Sequence, residues 1–234
     1  MKILLRVSLL LMLTSMLAWA GDFWEDKQFI EWSEKDVEKM MTKSPWAKKV
    51  TLALSIGRSG GGIGGRSRDG IGGGSRGGIG GRSRGGIGGR SRAPVLQLTI
   101  SWRSALPIKQ AIVKARMGES TELPAGATQF LDQQEEFYVV AVTGFPTRMG
   151  RMLENSSDTV IAGTVLKRKD QSITVNNFRA EERGESTDLF FFFPRTANIT
   201  LEDKTIEFIM KLGGREIKKK FKLKDMVVNG NLEL

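Results

Sequence analysis

Hydrophobic and polar residues alternate in two short segments that flank a long glycine-rich tract. The apolar positions are Val50, Leu52, Leu54 and Ile56 before the tract, and Leu96, Leu98, Ile100 and Trp102 after it. A period of two is typical of a strand that is buried on one face. We therefore predict two neighbouring antiparallel strands whose connecting loop has been greatly expanded.

The last third of the chain also has the pattern of strands. Residues 160–167 and 172–178 flank a Lys-Asp-Gln turn, and residues 189–193 are apolar on both faces. An apolar run of that length indicates a central strand that is covered on both sides. Apolar residues alternate again over 206–212 and 217–223, and the Gly-Gly pair between these two runs predicts a tight hairpin.

Two helices are predicted from apolar residues at helical spacing. Ser33 and Asp36 form a capping-box pattern at the start of the first helix. We interpret the aromatic residues around this helix as core packing of a small helical cap, with an aromatic ligand platform as the alternative. These residues are Trp24, Phe29, Trp32 and Trp46.

The second helix is predicted to begin at Pro107 and to stop at Gly118. Its apolar face consists of Ile108, Ala111, Ile112 and Ala115. We expect Lys109, Lys114 and Arg116 to lie on the opposite, solvent-facing side.

Together these elements predict an α+β fold. We expect a mostly antiparallel β domain, with a sandwich as its candidate architecture, covered by a few short helices. The predicted division is a signal peptide at 1–20, a helical segment at 21–47, and a β-rich domain at 48–234. A disordered Gly/Arg/Ser loop at 57–92 interrupts that domain.

The interrupting tract is built on an eight-residue repeat, Gly-Gly-Ile-Gly-Gly-Arg-Ser-Arg. One isoleucine per repeat buries too little apolar surface to offset the entropy that ordering so many glycines costs, so disorder is predicted. The formal net charge of the chain is +10, and most of it comes from this tract, which contains a single acidic residue. The arginines of the tract are Arg58, Arg66, Arg68, Arg76, Arg82, Arg84, Arg90 and Arg92.

Residues 1–20 have the form of a signal peptide. Lys2 and Arg6 precede an apolar run, and Ala18-Trp19-Ala20 fits the small-x-small cleavage rule, so we predict cleavage after Ala20. An uncleaved anchor is the alternative, but the apolar run is shorter than the roughly 20 residues that span a bilayer. We therefore predict export to the periplasm or the exterior, with no transmembrane segment after cleavage.

Composition excludes several kinds of catalytic site. The chain contains neither cysteine nor histidine, so it has no Ser-His-Asp triad, no Cys-His pair and no ordinary zinc site. We predict no cofactor, no metal and no catalytic residue. Glu181, Glu182, Glu185 and Asp188 cluster between two predicted strands, and we interpret them as a solvated acidic loop, with a metal or acid/base site as the alternative.

A second group of basic residues lies on the last predicted strand. Lys218, Lys220, Lys222 and Lys224 alternate with other residues and are expected to project from one face. They either protect an exposed strand from edge pairing or form a basic stripe for an anionic surface. Lys219 interrupts the apolar alternation, and we interpret it as a β-bulge.

The sequence resembles a group of uncharacterised exported bacterial proteins that carry a glycine-rich insert. The resemblance rests on residues 32–37, 44–47, 102–107, 221–226 and 232–234. Membership implies export and a variable insert at this point of the chain. It implies no activity, cofactor or site residue.

Three functions are consistent with the sequence. The first is a non-enzymatic envelope interaction or structural protein, whose partner is an anionic envelope component or another envelope protein. Its basic loop either contacts lipopolysaccharide, phospholipid or an acidic polymer, or is a passive spacer. The second is an extracytoplasmic hydrolase that depends on carboxylates, which requires a concave pocket holding two or more acidic residues. The third is a nucleic-acid binder that uses the Arg/Gly tract, which the predicted export and the lack of interleaved aromatic residues make improbable.

Overall fold

The computed structural model describes residues 22–53, 95–169, 171–196 and 198–234. The predicted signal peptide at 1–20 and the Gly/Arg/Ser tract at 57–92 lie outside the described residues. The predictions of cleavage after Ala20 and of disorder in the tract therefore stay predictions.

Eleven strands form three antiparallel sheets in the described residues. The first sheet has the order β1-β2-β3-β7-β6, the second has the order β5-β4-β8-β9, and β10 pairs with β11. The strands are β1 (Ala47–Ala53), β2 (Val95–Trp102), β3 (Phe137–Pro146), β4 (Thr164–Arg168), β5 (Gln171–Thr174), β6 (Asn177–Arg183), β7 (Ser186–Pro194), β8 (Thr205–Leu212), β9 (Arg215–Lys222), β10 (Val227–Val228) and β11 (Asn231–Leu232).

Six α-helices accompany these sheets in the described part of the chain. They are α1 (Phe23–Asp26), α2 (Glu34–Lys43), α3 (Leu106–Met117), α4 (Ala127–Asp132), α5 (Thr147–Glu154) and α6 (Ser157–Ala162). Short 3-10 turns occur at Phe29–Glu31, Leu201–Asp203 and Leu223–Asp225. The fold is therefore mixed α+β and mostly β, as the sequence predicts.

The two larger sheets pack face to face around one hydrophobic core. The ring of Phe208 in β8 lies 5.7 Å from that of Phe191 and 6.5 Å from that of Phe193, both in β7 of the opposite sheet. Trp102 of β2 lies 5.8 Å from Phe221 of β9. All five side chains are completely buried. Alternate residues of each strand thus form the interior of a sandwich.

Helices α2 and α3 cover part of the outer face of the first sheet. The capping box is confirmed, because the Ser33 hydroxyl accepts from the Asp36 amide and the Asp36 carboxylate accepts from the Ser33 amide. Trp24, Trp32 and Trp46 are buried in the core. The core interpretation is therefore confirmed for these three tryptophans, and Phe29 is partly buried against the same core. The ligand-platform alternative stays untested.

The strands on either side of the tract are paired as predicted. Strands β1 and β2 run antiparallel without a break, from Ala47 opposite Ser101 to Ala53 opposite Val95. The tract therefore connects two adjacent strands of one sheet. No helix among the described residues is long and apolar enough to cross a membrane.

Deletion of residues 57–92 is expected to preserve this pairing. The connection between Ala53 and Val95 would shorten from 41 residues to 5. That is three halvings of loop length, which lowers the closure entropy cost by about 2 kcal/mol. Urea denaturation should therefore give a free energy of unfolding about 2 kcal/mol higher than that of the full chain. A deletion variant that loses cooperative unfolding would contradict the prediction that the tract is a loop outside the folded core.

Two strand predictions in the last third were wrong in their bounds. Residues 160–162 belong to helix α6, which ends where the Thr164 hydroxyl donates to the Val160 carbonyl at 2.7 Å. The predicted strand at 172–178 is two strands, β5 and β6, which belong to different sheets.

Three lysines also differ from their predicted positions. The pairing of β8 and β9 is regular, so the predicted bulge at Lys219 is wrong. The Lys219 side chain is half-exposed at the edge of the sheet, because a long side chain can reach solvent from there. Lys109 and Lys114 are buried rather than solvent-facing, because α4 and its flanking segments cover that side of α3. Their ammonium groups lie 2.8 Å from the Gln133 carbonyl oxygen and 3.5 Å from the Ser120 carbonyl oxygen.

Candidate functional site

The predicted lysine stripe lies on the edge strand of the second sheet. Lys218, Lys220 and Lys222 all project from the solvent-facing side of β9 and are exposed, and Lys224 is exposed in the turn that follows. We call these four residues the lysine edge. Its position on an outer strand is compatible with both interpretations from sequence, which are protection of a strand edge and a cationic binding surface.

Few carboxylates neutralise the lysine edge. Glu216 pairs with Lys218 and raises the pKa of that lysine, while Glu207 of β8 lies opposite Lys220. Thr205 and Ile209 lie opposite Lys222 and Lys218. The surface therefore keeps an excess of positive charge.

Positive charge also extends around the edge of the sandwich. Burial lowers the pKa of Lys48 in β1, and the charges of Lys219 and Lys222 lower it further, against the opposing effect of Asp225. Lysines from both sheets thus meet at this edge. The eight tract arginines, Arg58 to Arg92, lie outside the described residues.

A groove opens on the opposite side of the sandwich. It has a volume of about 470 Å³ and lies between the outer face of the first sheet and helices α2, α3 and α4. Its apolar lining consists of Met41, Ile112, Phe130, Val139, Phe190 and Phe192. The sequence predicts that β7 is covered on both sides, but Phe190 and Phe192 are only half-buried because the helices do not extend over them.

The charged lining of this groove is mainly arginine. It comprises Arg103, Arg116, Arg179 and Arg183 together with Glu135 and Glu181. Arg103 follows β2 and is half-buried, with its guanidinium carbon 6.0 Å from the centre of the Phe190 ring. Burial is the main cause that lowers its pKa, and the charges of Asp188 and Glu181 oppose that effect.

The acidic cluster predicted from sequence is not a solvated loop. Glu181 and Asp188 lie opposite each other on β6 and β7, Glu182 faces the other side of the sheet, and Glu185 is in the turn. Asp188 is buried, which raises its pKa, while Arg183 at 3.3 Å pulls the pKa back down. Glu182 forms a bidentate pair with Arg151 of α5.

No group of three or more carboxylates in the described residues is arranged to hold a metal ion. Comparison with known proteins gives no match to a family model, to a curated protein or to a solved structure.

Sequence reasoning missed the groove entirely. The groove combines residues from three helices and three strands that are far apart in the chain, so no local motif marks it. One signal was present: Arg179, Glu181 and Arg183 alternate along β6, and this pattern places three charges on one face of a strand.

Proposed function

We propose that this chain is an exported, non-enzymatic interaction protein of the cell envelope that binds anionic surfaces. Export rests on the signal-peptide pattern of residues 1–20. The observation that carries the binding proposal is the lysine edge, where Lys218, Lys220 and Lys222 project in one direction from an exposed strand. Together with Lys224 they outnumber the two carboxylates beside them, Glu216 and Glu207.

Charge and shape favour a flat anionic surface as the partner. Lysines at alternate positions of a strand lie in one plane, so all of them reach phosphate groups of a membrane or a polyanion at once. Each lysine near an anionic membrane contributes about 1 kcal/mol, and the contribution falls as salt screens the charges. The arginines of the tract add to the same attraction.

The groove does not favour the hydrolase alternative. Its two lining carboxylates are already held by cations, Glu135 by Lys109 at 2.7 Å and Glu181 by Arg179 at 3.3 Å. A carboxylate that is tied to a neighbouring cation is a weak general base. The nucleic-acid alternative gains nothing from the lysine edge, since no exposed aromatic residue accompanies it in the part of the chain that the structure describes.

Substitution of three lysines tests the proposal. Lys218→Gln, Lys220→Gln and Lys222→Gln together should weaken binding to phosphatidylglycerol-containing vesicles about 100-fold, because three contributions of about 1 kcal/mol are lost. The matched control is Lys35→Gln, Lys43→Gln and Lys49→Gln, which removes the same charge from exposed positions on the α2 side of the sandwich. Co-sedimentation measures both variants.

Equal loss in the two triple variants would show that net charge, and not the lysine edge, controls binding. A variant without residues 57–92 tests whether the Gly/Arg/Ser tract, and not the lysine edge, binds the vesicles. If only that deletion abolishes binding, the tract is the binding element and the assignment to the lysine edge is wrong. Edge protection alone predicts that the first triple variant aggregates while vesicle binding is unchanged.

A further inference from the structure

The groove on the outer face of the first sheet contains a half-buried arginine, Arg103, that forms no ion pair in the described residues. The Nε of Arg103 is buried and has no hydrogen-bond acceptor. Its Nη1 lies 4.0 Å from the Sδ of Met41, which is a weak acceptor. Among the ion pairs of the described residues, none includes Arg103.

The lack of an acceptor for the Nε of Arg103 lowers the stability of the folded protein unless a ligand supplies one. A buried N–H donor without an acceptor destabilises the folded protein, and arginine does not avoid this by losing its proton. The acidic side chains nearby are committed elsewhere: Asp188 to Arg183 at 3.3 Å, and Glu181 to Arg179 at 3.3 Å. The guanidinium of Arg103 is therefore available to an incoming anion.

The surroundings of Arg103 define the rest of the ligand. Phe190 and Phe192 extend along the floor of the groove, and Met41, Ile112 and Phe130 form its apolar wall. A volume of about 470 Å³ is within the range of sites for small organic molecules. The two lining carboxylates are already paired with cations, so a single carboxylate on the ligand is enough to match the guanidinium of Arg103.

We propose that this groove binds a small organic carboxylate with an apolar body. The carboxylate forms a two-point contact with the guanidinium of Arg103, and the body packs on Phe190 and Phe192. The tract is not the occupant, because its eight arginines and one aspartate repel a lining that carries four arginines and two glutamates. The site is on the other side of the sandwich from the lysine edge and does not depend on it.

A chemically matched ligand set tests the proposal. Decanoate, decanol and decylamine share one alkyl chain and differ in charge, and calorimetric titration into the full-chain protein measures each below its micelle concentration. Decanoate is expected to bind at least tenfold more tightly than decanol, because a hydrogen bond to a charged group contributes about a factor of 10 to 100. Decylamine is expected to bind more weakly than either.

Arg103→Met is the decisive variant. It keeps an apolar stem of similar length and removes the guanidinium, so decanoate should lose at least tenfold in affinity while decanol is unchanged. The variant should melt no lower than the native protein, since it removes an unpartnered buried charge. Arg148→Gln, which removes an exposed charge in α5 outside the lining of the groove, is the control and should change decanoate affinity less than threefold.

Three results would overturn the proposal: no binding of decanoate to the native protein, equal affinity for decanoate and decanol, or unchanged decanoate affinity in Arg103→Met. The triple lysine-edge variant should bind decanoate as the native protein does. Failure of this site and failure of the anionic-surface proposal are therefore separate observations.

Discussion

Replacing Phe208 with alanine is expected to lower the free energy of unfolding by about 3–5 kcal/mol. Phe208 is completely buried on β8, and its ring lies between Phe191 and Phe193 of the opposite sheet. Alanine leaves a cavity at the centre of the sandwich that neither sheet can fill. For a chain of this size, the melting temperature should fall by about 10 °C.

Phe192→Ala is the matched control for that prediction. Phe192 is the same residue type on β7, but it is half-buried on the outer face and lines the groove. The Phe192→Ala substitution should lower the free energy of unfolding clearly less, because the Phe192 side chain buries less apolar surface in the folded protein than Phe208 does. Chemical denaturation followed by tryptophan fluorescence measures both variants. If Phe208→Ala costs no more than Phe192→Ala, the face-to-face packing of the two sheets is wrong.

The second large effect is expected at the buried ion pair between α3 and the segment before β3. Lys109 is 2% exposed, and its Nζ lies 2.7 Å from the Oε1 of Glu135. Glu135→Gln leaves that ammonium buried without a countercharge, which should cost about 3 kcal/mol. The remaining contact with the Gln133 carbonyl oxygen at 2.8 Å prevents a larger loss.

A double variant separates the charge effect from loss of packing. Lys109→Met combined with Glu135→Gln removes both charges and should recover most of the lost stability, because an apolar side chain replaces a buried ion. Glu216→Gln breaks the exposed pair with Lys218 and should change stability by less than about 1 kcal/mol. Urea denaturation of all three variants decides between these outcomes. A double variant as unstable as Glu135→Gln would show that burial of charge is not the cause.

Strand alternation and capping were predictable from sequence because they depend on neighbouring residues. The alternation on both sides of the tract predicted the pairing of β1 with β2, and Gly213 and Gly214 predicted the hairpin between β8 and β9. Both glycines have positive φ values, +52° and +79°, which the turn requires. Ser33 and Asp36 predicted the start of α2 for the same local reason.

Positions that depend on distant segments were predicted less well. The burial of Lys109 follows from Glu135 and Gln133, which are more than twenty residues away. A pattern of apolar positions on one helix contains no information about them. The arginine-lined groove could not be predicted for the same reason, since Arg103 follows β2 while Phe190 belongs to β7.

The two proposed sites lie on opposite outer faces of one sandwich. The lysine edge belongs to the second sheet, and the groove belongs to the first. A rigid core between them allows the protein to contact an anionic surface with one side while the other side stays open to a small ligand.

Binding of the native protein to lipid vesicles tests the central claim most directly. We would compare phosphatidylglycerol-containing vesicles with pure phosphatidylcholine vesicles at low and at physiological ionic strength. We predict binding only to the anionic vesicles, weakening as salt rises, because the Debye length shortens to about 8 Å at physiological ionic strength. Equal binding to both kinds of vesicle, or binding that is independent of salt, would contradict the proposal that this chain recognises anionic surfaces.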